Sequence, residues 1–310
     1  MTDLAARLRG VVPPLATPFD STGAVDAGSL RRLIGVQLAA GMHGVFLCGS
    51  TGEVALLDSA QRRAAVGVAV SEVARAVPVL VGAVDTGTRR VVEQAREAEA
   101  LGADAVVVTA PFYVHPHPDE IVEHFRVVRA AVELPVVGYD IPSAVGARLT
   151  PEVVAALAEQ GLVVALKDSS GDLASFREIL RRVPGLPVLT GSELLADAAV
   201  TLGAAGLVPG LGNVDPDGYL RVYRAARAGD LATARAEQDR LARLYAITTI
   251  PDQRRIGPTA AALGAFKAAM ALRGIIADPR TAPPLLPLSD TEVKSIAAVL
   301  DDLDLGRIPS

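Results

Sequence analysis

The sequence of 310 residues has one cysteine, no tryptophan and few other aromatic residues. The single cysteine, Cys48, excludes an intramolecular disulfide framework and is typical of proteins in a reducing cytoplasm. No apolar run is long enough to cross a bilayer, and no basic and apolar signal segment opens the sequence. A net charge of −5 provides no basic surface for nucleic acid. We therefore expect a cytoplasmic protein that binds neither nucleic acid nor a membrane.

Lysine is also scarce, because the chain has only Lys167, Lys267 and Lys294 beside twenty-seven arginines. Lys167 follows the apolar residues 162–166, which predicts a buried strand that ends at the lysine, although a short buried helix has the same pattern. A buried lysine can lose its proton and attack a carbonyl as a neutral amine. The alternative is a structural ion pair with Asp168 or another acid. We expect Lys267, on a predicted helix, to extend from a packing face to solvent.

The rest of the chain alternates apolar runs with segments of helical spacing. The predicted strands are Gly10–Ala16, Gly44–Cys48, Pro78–Val84, Asp104–Ala110, Leu134–Tyr139, Leu162–Lys167, Pro187–Thr190 and Ala205–Val208. The predicted helices between and after them are Ala27–Ala40, Ser59–Ala76, Thr88–Leu101, Pro118–Val132, one from Pro151, Asp172–Arg182, Glu193–Leu202 and one from about Pro216. Half of the residues are hydrophobic and most of these are aliphatic, as a parallel sheet covered by helices requires. Eight strand and helix pairs predict an α/β fold, a (β/α)8 TIM barrel, over residues 1–229.

A different pattern follows Gly229. The segments Leu231–Tyr245, Thr259–Leu272 and Ser289–Leu303 have helical spacing, and no strand is predicted between them. We therefore expect residues 230–310 to form a C-terminal helical region appended to the barrel.

Barrel enzymes collect their active-site groups at the carboxyl ends of the strands. In this chain those ends carry hydroxyls and one amine, including Ser50, Thr51, Tyr139 and Lys167. An unprotonated lysine condenses with a ketone to form a Schiff base, and a phenol can move the proton. The turn at residues 49–52, ahead of a helix, offers hydroxyls and backbone N–H groups to a carboxylate. A 2-oxo acid supplies both the ketone and the carboxylate.

Three motifs at these strand ends resemble those of the dihydrodipicolinate synthase and N-acetylneuraminate lyase family. They are Gly49-Ser50-Thr51-Gly52-Glu53, Tyr139-Asp140-Ile141-Pro142 and Lys167-Asp168-Ser169-Ser170-Gly171-Asp172. The resemblance extends over nearly the whole chain, from the opening Pro14–Phe19 to the helical tail. It implies a class I pyruvate aldolase, which acts through a Schiff base and uses no cofactor and no metal.

The resemblance also implies roles for individual residues. Lys167 matches the Schiff-base lysine and Tyr139 the general acid and base. Ser50 and Thr51 match the pair that holds the substrate carboxylate, with Ser50 also in a hydroxyl relay. Tyr113 matches a catalytic tyrosine that reaches into a neighbouring subunit's site, which implies a homodimer, usually within a homotetramer. Two further positions, Leu207 and Val208, match residues whose backbone carbonyls line the pyruvyl pocket.

One departure from the family pattern limits the substrate. Dihydrodipicolinate synthases carry an arginine where this chain has Ala144, and that arginine binds the carboxylate of aspartate semialdehyde. Its absence removes a charge-assisted bond worth roughly 1.5–3 kcal/mol. Arg148 is near but displaced, and Asp140 replaces the commoner asparagine. We therefore expect reversible aldol cleavage of a 2-keto-3-deoxy sugar acid, with dihydrodipicolinate synthase or N-acetylneuraminate lyase as the alternative.

Two readings from other classes remain. His115, His117, Asp119, Glu120 and His124 suggest a metal-dependent barrel aldolase or hydrolase. The prolines among them and their position after the fourth strand favour surface loop histidines instead. A catalytically inactive binding paralogue is the other reading, because function depends on the site rather than on the fold. Retention of the lysine, the tyrosine and the two hydroxyls at the strand ends argues against it.

Overall fold

The apolar runs of the sequence form one parallel sheet in the computed structural model, which describes residues 3–308. The strands are β1 (Gly10–Val11), β2 (Val45–Leu47), β3 (Val79–Ala83), β4 (Ala105–Thr109), β5 (Val136–Asp140), β6 (Ala165–Asp168), β7 (Val188–Thr190) and β8 (Gly206–Leu207). Their order in the sheet is β1-β8-β7-β6-β5-β4-β3-β2. A parallel bridge between Pro14 and Phe46 joins the two ends of this order. The predicted (β/α)8 TIM barrel is therefore confirmed.

Helices follow the strands along the chain. They are α1 (Asp3–Arg7), α2 (Ala27–Ala40), α3 (Ser59–Val73), α4 (Thr88–Ala100), α5 (Pro118–Ala131), α6 (Pro142–Val145), α7 (Pro151–Glu159), α8 (Leu173–Arg182), α9 (Ala196–Leu202), α10 (Pro216–Arg227), α11 (Leu231–Tyr245), α12 (Pro258–Leu272) and α13 (Asp290–Asp302). Two 3-10 helices cover Gly210–Asn213 and Ala246–Thr249. Helix α6 and the amino-terminal helix α1 were not predicted from the sequence. None of the helices within residues 3–308 is both long and apolar enough to cross a membrane.

Two predicted elements are shorter in the structure for identifiable reasons. Strand β1 ends at Val11 rather than Ala16, because Pro13 and Pro14 have no N–H to donate to a neighbouring strand. Helix α9 begins at Ala196 rather than Glu193. The carbonyl of Glu193 instead accepts hydrogen bonds from side chains of α10 and α11, so its backbone belongs to the loop after β7.

Side chains of the strands pack in two layers, one between the sheet and the helices and one inside the barrel. The inner layer includes Phe46, Leu80, Val107, Val137 and Leu189. Leu4 and Leu8, from and just after α1, join this inner layer. The barrel interior is therefore packed with apolar side chains and forms a floor beneath the carboxyl ends of the strands.

The three helices predicted after residue 229 are present as α11, α12 and α13. Their buried side chains, among them Leu241, Leu244, Ala265 and Ile296, belong to the same hydrophobic cluster as the outer layer of the barrel. The division into units at residues 229 and 230 stays a prediction. The prediction that Lys267 extends to solvent is wrong, because its side chain is 1% exposed and forms an ion pair with Glu53.

Candidate active site

Lys167 lies near the carboxyl end of β6, directly opposite Tyr139 of β5 in the parallel register. Its Nζ atom is 4.0 Å from the centroid of the Tyr139 ring and 5.0 Å from that of the Phe46 ring. Only 5% of the lysine is exposed. Among residues 3–308 no ion pair includes Lys167. Asp168, the alternative partner, accepts a hydrogen bond from the backbone N–H of Ser170 at 2.7 Å, so the predicted alternative of an ion pair with Asp168 is not formed.

Tyr139 connects the lysine to a hydroxyl on the opposite side of the barrel mouth. Its hydroxyl oxygen lies 3.5 Å from Oγ of Ser50. Burial raises the pKa of Tyr139, but the charge of Lys167, the hydrogen bond with Ser50 and the nearby polar groups of Lys167 and Ser169 outweigh burial, so the pKa is below its ordinary value. A phenol with a lowered pKa is more often present as phenolate, the form that can act as a general base.

Ser50 and Thr51 belong to the turn at residues 49–53, which we call the hydroxyl turn. Cys48, directly before the turn, and Glu53, its last residue, have φ angles of 53° and 62°, which residues other than glycine rarely adopt. The Oγ1 atom of Thr17 donates to the carbonyl of Gly52 at 2.8 Å. The hydroxyl turn is therefore held in an unfavourable backbone path by contacts from the rest of the barrel.

The two residues predicted from strand β8 have different surroundings. The carbonyl of Leu207 accepts the backbone N–H of Val12 at 2.8 Å, and its side chain packs in the outer layer. The side chain of Val208 lies in the inner layer and lines the same small cavity as Lys167. The structure brings Val208 close to the lysine, whereas the carbonyl of Leu207 is committed to the sheet.

A cleft of about 380 Å³ opens beside Tyr139 and the hydroxyl turn. Apolar side chains make up most of its wall, and polar groups come mainly from hydroxyls. The lining residues are Ser50, Glu53, Val54, Ala55, Leu56, Val84, Thr109, Phe112, Tyr139, Ile141, Ser143, Ala144, Val145, Thr259 and Leu263. Glu53 is the one charged residue in this lining, and its carboxylate is paired with Lys267. The cleft therefore offers no cation to a second carboxylate on the substrate.

The displaced arginine of the sequence, Arg148, binds Asp140 rather than the cleft. Its Nε atom is 2.9 Å from Oδ2 of Asp140, and the other carboxylate oxygen accepts the backbone N–H of Leu149 at 2.9 Å. Burial raises the pKa of Asp140, while these two contacts lower it. A second carboxylate, on Asp172, lies 4.0 Å from the guanidinium. Asp140 thus holds Arg148 in place, which accounts for an aspartate at this position.

Ser169 is a site residue that the sequence analysis missed. It lies close enough to Tyr139 to help lower the pKa of that phenol, and a Cβ atom at Gly191 would lie 2.1 Å from its Oγ atom. Glycine at position 191 therefore leaves the room that this serine occupies. Strand alternation is the signal that could have identified it, because residues two apart on a strand face the same side and Ser169 follows Lys167 by two.

Glu193 is a second missed residue, and it joins the loops after β7 and β8. Its Oε1 atom accepts the backbone N–H of Gly210 at 2.6 Å, and Oε2 accepts the hydroxyl of Tyr219 at 2.7 Å. Burial raises the pKa of Glu193 to about 7, although these hydrogen bonds oppose the shift. Its partners are distant in sequence, so no local pattern could reveal the contact.

The predicted site residue Tyr113 is not brought together with the others. Its side chain is 92% exposed, and its φ angle is 73°. The cleft of the same chain is lined by the preceding residue, Phe112, instead. The exposed phenol is therefore available to a neighbouring molecule rather than to its own site.

Two histidines of the metal alternative, His117 and His124, have structural roles. His117 is the N-cap of α5 and accepts the backbone N–H of Asp119 at 3.3 Å. His124 is buried, not on a surface loop as predicted, and its Nδ1 lies 2.9 Å from Oγ1 of Thr88. Burial lowers the pKa of His124 to about 4. Over the part of the chain that the structure describes, no three His, Cys, Asp or Glu side chains are grouped as metal ligands.

Comparison with known proteins gives a consistent set of relatives. The model of the "Dihydrodipicolinate synthetase family" matches residues 7–303. An uncharacterised DapA-like lyase from Halobacterium salinarum is 39% identical over 298 residues, which is 96% of this chain and 95% of that protein. A 4-hydroxy-tetrahydrodipicolinate synthase from Pelobacter propionicus is 31% identical, covering 96% and 99%. The crystal structure of YagE from Escherichia coli in complex with pyruvate is 29% identical, with a TM-score of 0.89 and coverage of 96% and 99%.

Proposed function

Because this chain belongs to the dihydrodipicolinate synthetase family and is a lyase, we propose that it is a Schiff-base pyruvate aldolase in which Lys167 is the nucleophile. The observation that carries the proposal is the geometry of the lysine. Its amine is buried, has no carboxylate partner within residues 3–308, and lies 4.0 Å from the ring centroid of Tyr139. An enzyme with this arrangement can form an imine with a ketone and move protons beside it.

The first step is addition of the neutral amine of Lys167 to the C2 carbonyl of a 2-oxo acid. Tyr139 donates the proton that this step consumes and is left as phenolate. The carbonyl oxygen leaves as water, and the product is a protonated imine whose positive nitrogen attracts electrons. In a packed apolar interior this charge is poorly solvated, so transfer of electrons toward the nitrogen becomes favourable.

The second step breaks the bond between C3 and C4. Tyr139, as phenolate, takes the proton of the C4 hydroxyl, the C4 oxygen forms an aldehyde, and the electrons of the broken bond move into an enamine on Lys167. Protonation of the enamine at C3 and addition of water to the imine then release pyruvate and the free amine. Ser50, 3.5 Å from Tyr139, is placed to relay the proton.

The hydroxyl turn is the proposed site for the carboxylate of the 2-oxo acid. Ser50 and Thr51 supply hydroxyls there, and the turn precedes helix α3. Val208 is part of the proposed substrate-binding site, because its side chain and that of Lys167 line the same small cavity. Leu207 has a weaker claim, because its carbonyl already accepts a hydrogen bond within the sheet.

For the physiological substrate we propose a 2-keto-3-deoxy sugar acid, which cleaves to pyruvate and an uncharged aldehyde. The cleft supports this choice, because Ser143, Thr109 and Thr259 add hydroxyls to those of Ser50 and Tyr139 and its lining has no free cation. An uncharged hydroxyaldehyde can use hydroxyl partners, whereas a carboxylated or phosphorylated aldehyde would be left with an unpaired charge.

Dihydrodipicolinate synthase is the second candidate, and the names of several relatives favour it. That reaction joins pyruvate to aspartate semialdehyde, whose carboxylate needs a cation. In this chain Ala144 lines the cleft and Arg148 is paired with Asp140, so the cation is missing at the required place. N-acetylneuraminate lyase remains a related alternative. An inactive paralogue is disfavoured because Lys167 and Tyr139 are assembled side by side.

We also propose that the working unit is a homodimer or homotetramer in which Tyr113 reaches the neighbouring subunit's site. Support comes from the 92% exposure of this tyrosine and from the resemblance to family members with such a residue. Localisation in the cytoplasm, expected from cysteine usage, stays a prediction.

The substrate proposal is tested by supplying the purified protein with 2-keto-3-deoxygluconate and measuring pyruvate release through lactate dehydrogenase. We expect release that added chelator does not change. A second reaction contains pyruvate and aspartate semialdehyde, and we expect slow consumption of pyruvate there. The reverse ranking would favour the synthase, and loss of activity with chelator would favour the metal-dependent reading.

A further inference from the structure

We propose that the buried ion pair between Glu53 and Lys267 is a positioning device through which the C-terminal helices hold the hydroxyl turn in its substrate-binding conformation. The inference deepens the proposed function and depends on its assignment of the hydroxyl turn to the substrate carboxylate. Neither residue is a catalytic group in this account, because Glu53 and Lys267 act through the backbone of the turn.

The pair joins two parts of the chain that are far apart in sequence. Glu53 is the last residue of the hydroxyl turn, and Lys267 lies in the middle of α12. Their side chains are 0% and 1% exposed, so both charges are removed from water. The turn that carries Ser50 and Thr51 is thereby linked to a helix outside the eight strand and helix units.

Further contacts make the link more than a single ion pair. Nζ of Lys267 also donates to the carbonyl of Arg280 at 2.8 Å and lies 4.2 Å from the ring centroid of Phe19. The second carboxylate oxygen of Glu53 accepts the backbone N–H of Ala282 at 2.6 Å. The loop between α12 and α13 therefore closes over the pair and is fixed by it.

Glu53 connects this link to the part of the turn that carries the hydroxyls of Ser50 and Thr51. Its backbone N–H donates to the carbonyl of Ser50 at 3.1 Å, and its φ angle of 62° is unfavourable for a residue with a side chain. An unfavourable backbone angle persists only where surrounding contacts enforce it. The ion pair and the Ala282 bond are the contacts that hold the side chain of Glu53 at this angle.

Stability alone does not explain such a pair. Two buried charges are costly to desolvate, and apolar side chains of similar volume often give an equally stable protein. A charged pair with additional backbone hydrogen bonds does fix direction and distance, which apolar packing does less well. Direction is what the hydroxyl turn needs, because a carboxylate is bound by hydroxyls and N–H groups whose angles matter.

The inference predicts a specific kinetic signature. When both charges are removed by Glu53→Gln with Lys267→Met, the turn loses its enforced path while Lys167 and Tyr139 are untouched. We expect the concentration of pyruvate that half-saturates trapping by borohydride to rise about tenfold or more, because ground-state binding is weakened. The limiting rate of trapping at saturating pyruvate should change less than about threefold.

A second variant, Glu53→Asp, keeps the charge but shortens the side chain by one methylene, so it cannot reach both Lys267 and the N–H of Ala282. It should also raise the half-saturating pyruvate concentration, but by a smaller factor than the double variant does. This variant also decides the question if the double variant does not fold.

The matched control removes another ion pair of the C-terminal region, by Arg255→Met with Glu292→Gln. Arg255 Nη2 lies 2.6 Å from Glu292 Oε2, and neither residue lines the cleft or contacts the hydroxyl turn. We expect unchanged half-saturation in this control. The positioning role is overturned if the Glu53 variants keep the half-saturating pyruvate concentration of the unmodified protein. It is also overturned if only their limiting rate of trapping falls, in proportion to the fraction of unfolded protein. Absence of any pyruvate adduct in the unmodified protein would instead overturn the proposed function.

Discussion

The two buried lysines of this protein lie in opposite chemical surroundings. Lys167, inside the barrel, is 5% exposed and faces two aromatic rings with no carboxylate partner among residues 3–308. Lys267, on α12, is 1% exposed and is held by the carboxylate of Glu53 and a backbone carbonyl. Burial lowers the pKa of Lys267, and the charge of Glu53 opposes this shift.

In the proposed function only Lys167 is a nucleophile, so burial by itself does not give a lysine that role. An amine that is paired with a carboxylate and hydrogen-bonded keeps its proton and has no lone pair to attack with. An amine surrounded by rings, next to a tyrosine that can exchange protons, can present its lone pair to a ketone. The partner of the lysine, rather than its depth, separates the two roles.

Replacing each of the two lysines in turn gives the largest expected effects. Lys167→Ala should reduce turnover by roughly a thousandfold or more, since the nucleophile is lost, while the fold remains. Lys267→Met should instead lower the free energy of unfolding by about 3–5 kcal/mol, because Glu53 is left buried without its partner. Steady-state kinetics and denaturant unfolding measure the two effects. Equal losses of turnover from both variants at full folding would remove the distinction.

Tyr139→Phe removes the proton-transfer group beside Lys167 and keeps the ring. We expect turnover to fall by about 10²- to 10⁴-fold, the range for loss of a general acid and base. Formation of the borohydride-trapped adduct should persist at a slower rate, which mass spectrometry can follow. Unchanged turnover would show that another group moves the proton.

Ala144→Arg introduces the cation that the cleft lacks. A new bond to a carboxylate should contribute roughly 1.5–3 kcal/mol, so the ratio of kcat/KM for aspartate semialdehyde to that for an uncharged aldehyde should rise about tenfold or more. Ala147→Arg serves as the control, because Ala147 does not line the cleft. An unchanged ratio in the Ala144 variant would mean that this position does not select the aldehyde.

Tyr113→Phe should reduce turnover by about tenfold, since this residue only assists proton transfer in the proposed dimer. This loss is smaller than the one expected for Lys167→Ala. Mixed dimers of Tyr113→Phe and Lys167→Ala subunits contain one site with both residues intact. Mixing the two variants should therefore restore activity. Failure of restoration in dimers shown to be mixed would count against the shared site.

The smallest expected effect is a shift in the pH dependence of Ser50→Ala, which accompanies the weaker carboxylate binding and slower proton relay expected from loss of this hydroxyl. Loss of the hydrogen bond between Ser50 and Tyr139 raises the pKa of Tyr139, because the bond contributes to the lowered value. If Tyr139 acts as a base, kcat/KM increases with pH through its pKa, so the rising limb should move to higher pH in the variant. A limb that moves to lower pH or stays in place would assign it to another group.

Local sequence patterns were sufficient to predict the barrel, since apolar runs bounded by turn residues mark strands without knowledge of their neighbours. Helix α2 was predicted at Ala27–Ala40, as it is in the structure, and Lys167 and Tyr139 were expected at neighbouring strand ends. The contacts of Glu193 and the pairing of Lys267 with Glu53 could not be predicted, because their partners lie far away in sequence. Lys267 illustrates the limit, since a lysine among apolar helix residues has the same pattern whether it reaches solvent or a buried carboxylate.

The central claim, that Lys167 and not Lys267 forms the imine, is tested most directly by reductive trapping. The protein is incubated with pyruvate, treated with borohydride, digested and mapped by mass spectrometry. The account predicts one reduced pyruvate adduct on the peptide that contains Lys167 and an unmodified peptide around Lys267. An adduct at any other lysine, or none at all in folded protein, would contradict it.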